Sequence, residues 1–307
     1  MRRLALVSIL LLTVAGSASA AISNTIRKGF NVADGGTLTI DASVGDIQVV
    51  SGGTGVAVEV VRDAQTSSQS KADKVFRDFD VAISQNGNDV AVRIPHQLND
   101  WHFFDFGNPI DIKVNVRVPS RYNVDLKTSG GNISVTSVTG TVEAHTSGGN
   151  IKLATINGAA NVRTSGGDID VIGTTGTADV RTSGGSISIQ HAGGNVTAHT
   201  SGGSIRVEEA LAAIDASTSG GNIKANFTVQ PKGNTRLSTS GGNVSVSLPA
   251  NVNVDLDAHT SGGEVESDLP VTMVGRQTES TLVGKINGGG PQLVLRSSGG
   301  GIRVRKM

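Results

Sequence analysis

The chain has 307 residues, 41 of them glycine, with only 3% aromatic residues, no cysteine and a formal net charge of zero. Glycine does not recur at every third position, so collagen is excluded, and the balanced charge advertises neither nucleic acid nor an anionic membrane as partner. Without cysteine there are no disulfides, no thiol catalysis and no lipid-bearing cysteine, so stability has to come from burial and backbone hydrogen bonding.

Residues 1–20 read as a secretory signal peptide. Arg2 and Arg3 form a positive start, residues 4–15 an apolar run, and Ala18-Ser19-Ala20 a small-residue cleavage site. The apolar run is shorter than the roughly 20 residues a membrane span needs, and no later segment is apolar enough to be one. Removing Arg2 and Arg3 leaves 24 basic against 26 acidic residues. The expectation is export to the periplasm or the exterior, as a single domain over 21–307 with no transmembrane segment in the mature chain.

After the leader, Gly45-Asp46-Ile47-Gln48-Val49 shows a pattern that returns throughout the second half. Between residues 62 and 119 that rhythm breaks. Residues 68–78 predict a short helix, and 81–83 with 90–94 predict two strands joined around Asn86-Gly87, a hairpin signal. Five of seven phenylalanines (Phe76, Phe79, Phe103, Phe104, Phe106) and the single tryptophan, Trp101, lie in this insertion. It reads as a cap shielding the end of a repetitive structure. Trp101, His102, Phe103, Phe104 and Phe106 are also candidate partner-binding residues.

From Thr128 a ruler takes over. TSGG begins at Thr128, Thr146, Thr164, Thr182, Thr200 and Thr218, in five steps of 18. Two steps of 21 lead to Thr239 and Thr260, read as successive coils, and a relative, SSGG, begins at Ser297. A fixed period repeated this often signals a solenoid.

Within each repeat, apolar residues alternate in two pairs: Ile133 and Val135, then Val142 and Ala144, and likewise down the chain. Each pair predicts a short strand with one buried face. The second pair always combines one alanine with one larger residue, in either order, as a narrow close-packed interior requires. The predicted fold is an all-β single parallel β-helix (β-solenoid) with 18-residue coils, right-handed by the general crossover rule. The competing fold, hairpin repeats closing into an antiparallel barrel, is disfavoured because the strands are too short to wall one. A lone coil would bury too little to fold, so neighbours must complete it.

The glycine pairs are expected to be structural corners: Gly130 and Gly131, Gly148 and Gly149, Gly166 and Gly167, Gly184 and Gly185, Gly202 and Gly203, Gly220 and Gly221. Each corner would need positive φ or very close backbone approach. A second corner carries Gly140, Gly158, Gly176 and Gly194, with Ala212 breaking the series. The threonines are expected to stack and exchange hydroxyl hydrogen bonds, and Asn132, Asn150, Asn222 and Asn243 to form an amide ladder. Neither GxGxxG before a helix nor GxxxxGK[ST] is present.

Outward positions form columns. Asp125, Glu143, Asn161, Asp179, Thr197 and Asp215, with Asp257 later, lie beside Lys127, His145, Arg163, Arg181, His199 and Ser217, with His259 later. This reads as a self-neutralising solvated face or as a recognition stripe for a polymer with mixed or anionic groups, with His145, Arg163, Arg181 and His199 as candidates. His145 and His199 would stand about 14 Å apart at the rung spacing, too far to share a zinc ion. His191 falls at a corner with no second ligand near it in sequence. Calcium-binding β-rolls place glycine and aspartate where Ile133 and Val135 stand, so a calcium ladder is not expected. Ice-binding solenoids use two outward threonines per rung, a pattern not found here. Residues 128–224 contain no aromatic platform for sugars and no Ser-His-Asp arrangement, so no catalytic residue or cofactor is assigned.

VGDIQV at Val44, VPSRYNVDLKTSGGNI at Val118 and INGGGPQLVLRSSGGGIRV at Ile286 together resemble the bacterial putative-adhesin family, domain-of-unknown-function family 4097, over nearly the full mature chain. The resemblance implies an exported β-helix of the cell envelope without established catalytic residues. The expected function is therefore a non-enzymatic interaction or scaffolding module whose partner is an envelope polysaccharide or protein. The alternative is a polysaccharide-active lyase or hydrolase that uses the insertion.

Overall fold

The computed structural model describes residues 21–95, 110–274 and 277–307. Residues 1–20, expected to be a leader, and the Trp101 to Phe106 run lie outside the described residues.

Apolar and polar residues alternate along almost every strand, so each strand has one face to bury. The result is two long sheets of 13 and 14 strands enclosing one continuous core. Most pairings are parallel and in register. Ile133 pairs with Ile151, Ile151 with Ile169, Ile169 with Ile187 and Ile187 with Ile205, all in the first sheet and all almost fully buried. In the second sheet Val142 pairs with Ala160, Ala160 with Ala178 and Ala178 with Val196. The neighbouring column runs Ala144, Val162, Val180 and Ala198. Two small residues thus stack where the adjacent column holds two valines, which keeps the core cross-section nearly constant.

The glycine pair divides in two. A Cβ built on Gly167 would sit 2.0 Å from the Gly149 carbonyl oxygen, while one on Gly166 meets nothing closer than 3.6 Å. The same contrast separates Gly149 from Gly148 and Gly131 from Gly130. Neither glycine of these pairs lies in the left-handed region. Close backbone approach, not positive φ, fixes the second glycine. The first has ordinary room at Gly130, Gly148 and Gly166, tightening to 3.3, 3.0 and 3.1 Å from the backbone beneath at Gly184, Gly202 and Gly220.

The threonines do not exchange hydroxyl hydrogen bonds with one another. Instead Thr164 Oγ1 donates to the Gly149 carbonyl (2.9 Å) and accepts from Gly167 N–H (3.3 Å). Thr146 likewise donates to the Gly131 carbonyl of the rung before it and accepts from its own rung's Gly149 N–H, and Thr182 does so with Gly167 and Gly185. The buried hydroxyl thus satisfies corner groups that neither strand can reach.

The expected amide ladder survives between Asn243 Nδ2 and Asn222 Oδ1 (3.4 Å), and elsewhere side-chain oxygens accept backbone N–H groups of the next rung. Asn132 Oδ1 accepts from Asn150 N (2.9 Å), Asn150 Oδ1 from Asp168 N (2.8 Å) and Asp168 Oδ1 from Ser186 N (2.7 Å). Only an acceptor is needed, which is why Asn, Asp and Ser alternate in this column.

Coil order departs from chain order at the C-terminal end. Thr235–Thr239 pairs with Gln292–Ser297, which in turn pairs with Val254–Thr260. Val244–Leu248 pairs with Ile302–Lys306, which pairs with Val265–Ser267. The last segment of the chain therefore slots between two earlier ones, and Thr260 is not the rung after Thr239. Thr281–Ile286 then lies antiparallel to Val254–Thr260.

At the other end, Asp46–Ser51 stacks on Ile133–Thr136 and Thr37–Ala42 on Asn123–Lys127. Coiling therefore does start ahead of the insertion. Val56–Ala64 runs antiparallel between Ile110–Val118 and Ile22–Phe30, and Ile22–Phe30 ends the first sheet. Ala82–Asn86 and Asp89–Ile94 form the expected hairpin and finish the second sheet, with Gly87 at φ 59° in the turn. The expected helix spans Gln69–Asp78.

Arg62, only 6% exposed, holds this helix to the sheet. It donates to the carbonyls of Phe76 (2.9 Å) and Phe79 (3.0 Å) and to Asn24 Oδ1 (2.6 Å). Its guanidinium also lies 4.9 Å over the Phe76 ring, and a cation at a helix C-terminus is favoured by the dipole. Burial lowers its pKa, opposed by Asp80, but not enough to discharge a guanidinium.

Candidate binding face

The outer face of the second sheet carries the charged columns. In-register pairing places Lys127 beside His145, His145 beside Arg163, Arg163 beside Arg181, Arg181 beside His199 and His199 beside Ser217. The neighbouring column runs Asp125, Glu143, Asn161, Asp179, Thr197 and Asp215. Both are set by strand alternation, since the intervening residues (Ala144, Val162, Val180, Ala198) point into the core.

The two arginines share one carboxylate. Asp179 accepts from Arg181 at 2.8 Å and lies 3.9 Å from Arg163, with both guanidinium groups about half exposed. The hydrogen bond to Asp179, then its charge, raises the Arg181 pKa above its usual value. Lys127, His145 and Glu143 form no ion pair among the described residues, so the face is not fully neutralised rung by rung. His199 Nδ1 contacts Ser217 Oγ at 2.6 Å.

Toward the C-terminal end the columns change character. Asp215 faces Arg236, Arg236 faces Val294, and Val294 faces Asp257. Arg296 comes between Ser238 and His259, and pairs with Asp257 at 2.5 Å. The inserted last coil therefore breaks both columns, and Asp257 and His259 do not continue them directly.

His191 does have a partner, at the position 18 residues further on. Its Nδ1 meets a Glu209 carboxylate oxygen, both residues being exposed. Ser137, Thr155, Gly173, His191 and Glu209 all hold positive φ, between 52° and 85°. This left-handed column escapes sequence reading because four of its five members are not glycine. The repeat spacing alone, however, would have put His191 next to Glu209. Among the described residues no three His, Asp or Glu side chains converge as a metal set, and no helix is long and apolar enough to cross a membrane.

Two stacked walls of short parallel strands around a single apolar core, with polar columns outside, define a β-solenoid repeat protein. The chain belongs to the Toastrack DUF4097 family, which matches residues 36–305. Among solved structures it is similar to a putative adhesin from Bacteroides fragilis, with 13% identity, TM-score 0.43 and coverage of 92% of this chain and 97% of the other. A putative lipid binding protein from Parabacteroides distasonis shows 13% identity, TM-score 0.41 and coverage of 95% and 98%. A putative cell adhesion protein from Clostridium sporogenes shows 10% identity, TM-score 0.29 and coverage of 94% and 100%. No curated protein matches the sequence.

Proposed function

We propose that this chain is an exported, non-enzymatic envelope protein, a right-handed solenoid of 18-residue coils that binds a repeating polymer along its second sheet. The observation that carries this reading is the in-register row Lys127, His145, Arg163, Arg181 and His199. Five basic or titratable groups follow one another at about 4.8 Å, the spacing of neighbouring strands. A regular lattice on a rigid wall suits a ligand whose own groups repeat, because each bound unit pre-positions the next and little protein entropy is lost. Export is supported by the leader pattern of residues 1–20, and a periplasmic or released location follows from it.

The test uses the mature chain on an array of envelope polysaccharides. Binding without cleavage is expected, falling at least about tenfold when Arg163 and Arg181 are both replaced by serine, as loss of two charge-assisted contacts implies. Turnover of any polysaccharide would replace this reading with the enzymatic one, and binding indifferent to the double substitution would move the site elsewhere.

A further inference from the structure

The two sheets end in four edge strands of unequal quality. Val265–Ser267 and Thr272–Met273 have three and two residues, and Ala82–Asn86 has five. Ile22–Phe30 has nine, contains no proline, and among the described residues pairs on one side only, with Val56–Ala64. Its core-side row is Ile22, Asn24, Ile26, Lys28 and Phe30, with Ile26 and Phe30 only half-buried against the core. A nine-residue edge whose core-side row carries Ile22, Ile26 and Phe30, with Lys28 as its one charge, is a pairing template that natural folds normally disarm further.

We propose that this edge is a dimer interface, in which Ile22–Phe30 of one copy pairs antiparallel with the same strand of a second copy about a two-fold axis through Ile26. The strand's own sequence favours this partner. With Ile26 facing Ile26, Ile22 meets Phe30 and Asn24 meets Lys28 on the core side. On the outer side Thr25 meets Arg27 and Ser23 meets Gly29. Apolar residues face apolar ones, and no like charges stand directly opposite each other. The pairing closes on itself, so it consumes the edge without starting a fibre. A head-to-tail contact with the far end of the first sheet would find a strand of only three residues, Val265–Ser267. The Arg27–Glu59 ion pair lies within one copy and remains intact.

The chain has no cysteine, so single-cysteine variants report cleanly. Across the axis the Ile26 Cα atoms would be about 4.5–5.5 Å apart, within disulfide range. The mature Ile26→Cys variant should form a covalent dimer on mild oxidation. Thr25→Cys alone should not, because its copies lie diagonally about 7–8 Å apart, but Thr25→Cys mixed with Arg27→Cys should cross-link. As a second measurement on an exposed position, Thr25→Lys places lysine opposite Arg27 twice and should weaken the dimer about tenfold in light scattering, whereas Thr25→Glu should not weaken it. A monomeric wild-type chain at all concentrations, equal cross-linking of Ile26→Cys and Thr25→Cys, or identical behaviour of Thr25→Lys and Thr25→Glu would each overturn the proposal.

Discussion

Replacing Gly167 and Gly166 separately by alanine separates the two halves of the corner. The Cβ of Gly167→Ala would lie 2.0 Å from the Gly149 oxygen, 2.5 Å from its carbonyl carbon and 2.8 Å from Asn150 N, all backbone atoms of the rung beneath. No side-chain rotation can relieve these contacts, so the two rungs must separate by more than an ångström at the corner. That movement stretches the hydroxyl bond from Thr164 to Gly149 (2.9 Å), the Asp168 N–H bond to Asn150 (2.8 Å) and the Ile151 N–H bond to Asp168 (3.0 Å). Losing two or three bonds at about 1 kcal/mol each, and leaving the buried Thr164 hydroxyl unsatisfied, amounts to about 3–5 kcal/mol. Gly166→Ala meets only ordinary contacts at 3.6 Å and needs no left-handed backbone, so it should be neutral or gain up to about 1 kcal/mol from a less flexible unfolded chain. Urea unfolding followed by circular dichroism, with the slope checked for constancy, measures both. Equal midpoints for the two variants would refute the close-approach explanation of the corner.

Thr164→Val keeps the shape but removes a buried hydroxyl that bonds Gly149 and Gly167, so urea unfolding should register a loss of about 1–3 kcal/mol, while Thr164→Ser should keep most of it, as Ser297 does naturally in bonding Gly242. In the acceptor column, Asp168→Asn should leave the melting temperature nearly unchanged, whereas Asp168→Leu, which strands the Ser186 N–H, should cost about 1 kcal/mol. Tyr122, buried and donating its hydroxyl to the Asn88 carbonyl, has its pKa pushed up to about 12 by burial and then by Asp89. The folded state therefore holds the phenol proton more tightly than the unfolded chain, so this stabilisation is complete below about pH 10 and disappears as pH rises toward 12, amounting to about 3 kcal/mol at most. Tyr122→Phe should flatten that alkaline loss when unfolding free energy is plotted against pH, and an unchanged slope would contradict the assignment.

The charged columns are legible in the sequence, since a period of 18 with strand alternation fixes both the rung and the face of Arg163, Arg181 and Asp179. The His191–Glu209 contact follows from the same period, since the two residues stand 18 apart, although nothing adjacent to His191 in sequence points to it. The edge strand Ile22–Phe30 could not be recognised as an edge, because nothing in its letters says which strand lies beyond it.

Local repetition determined the strands, their inward residues and their parallel register, because each rung meets a near copy of itself and the same letters must satisfy the same contacts. Three things were decided only in three dimensions. Which glycine of each pair is obligatory depends on the distance to a backbone 18 residues away. What the Thr164 hydroxyl bonds depends on carbonyls that point out of the previous rung. And the placing of Gln292–Lys306 between Thr235–Leu248 and Val254–Ser267 is invisible in a one-dimensional string, since equivalent rungs compete for the same stacking surface and only the assembled ends settle which of them occupies it.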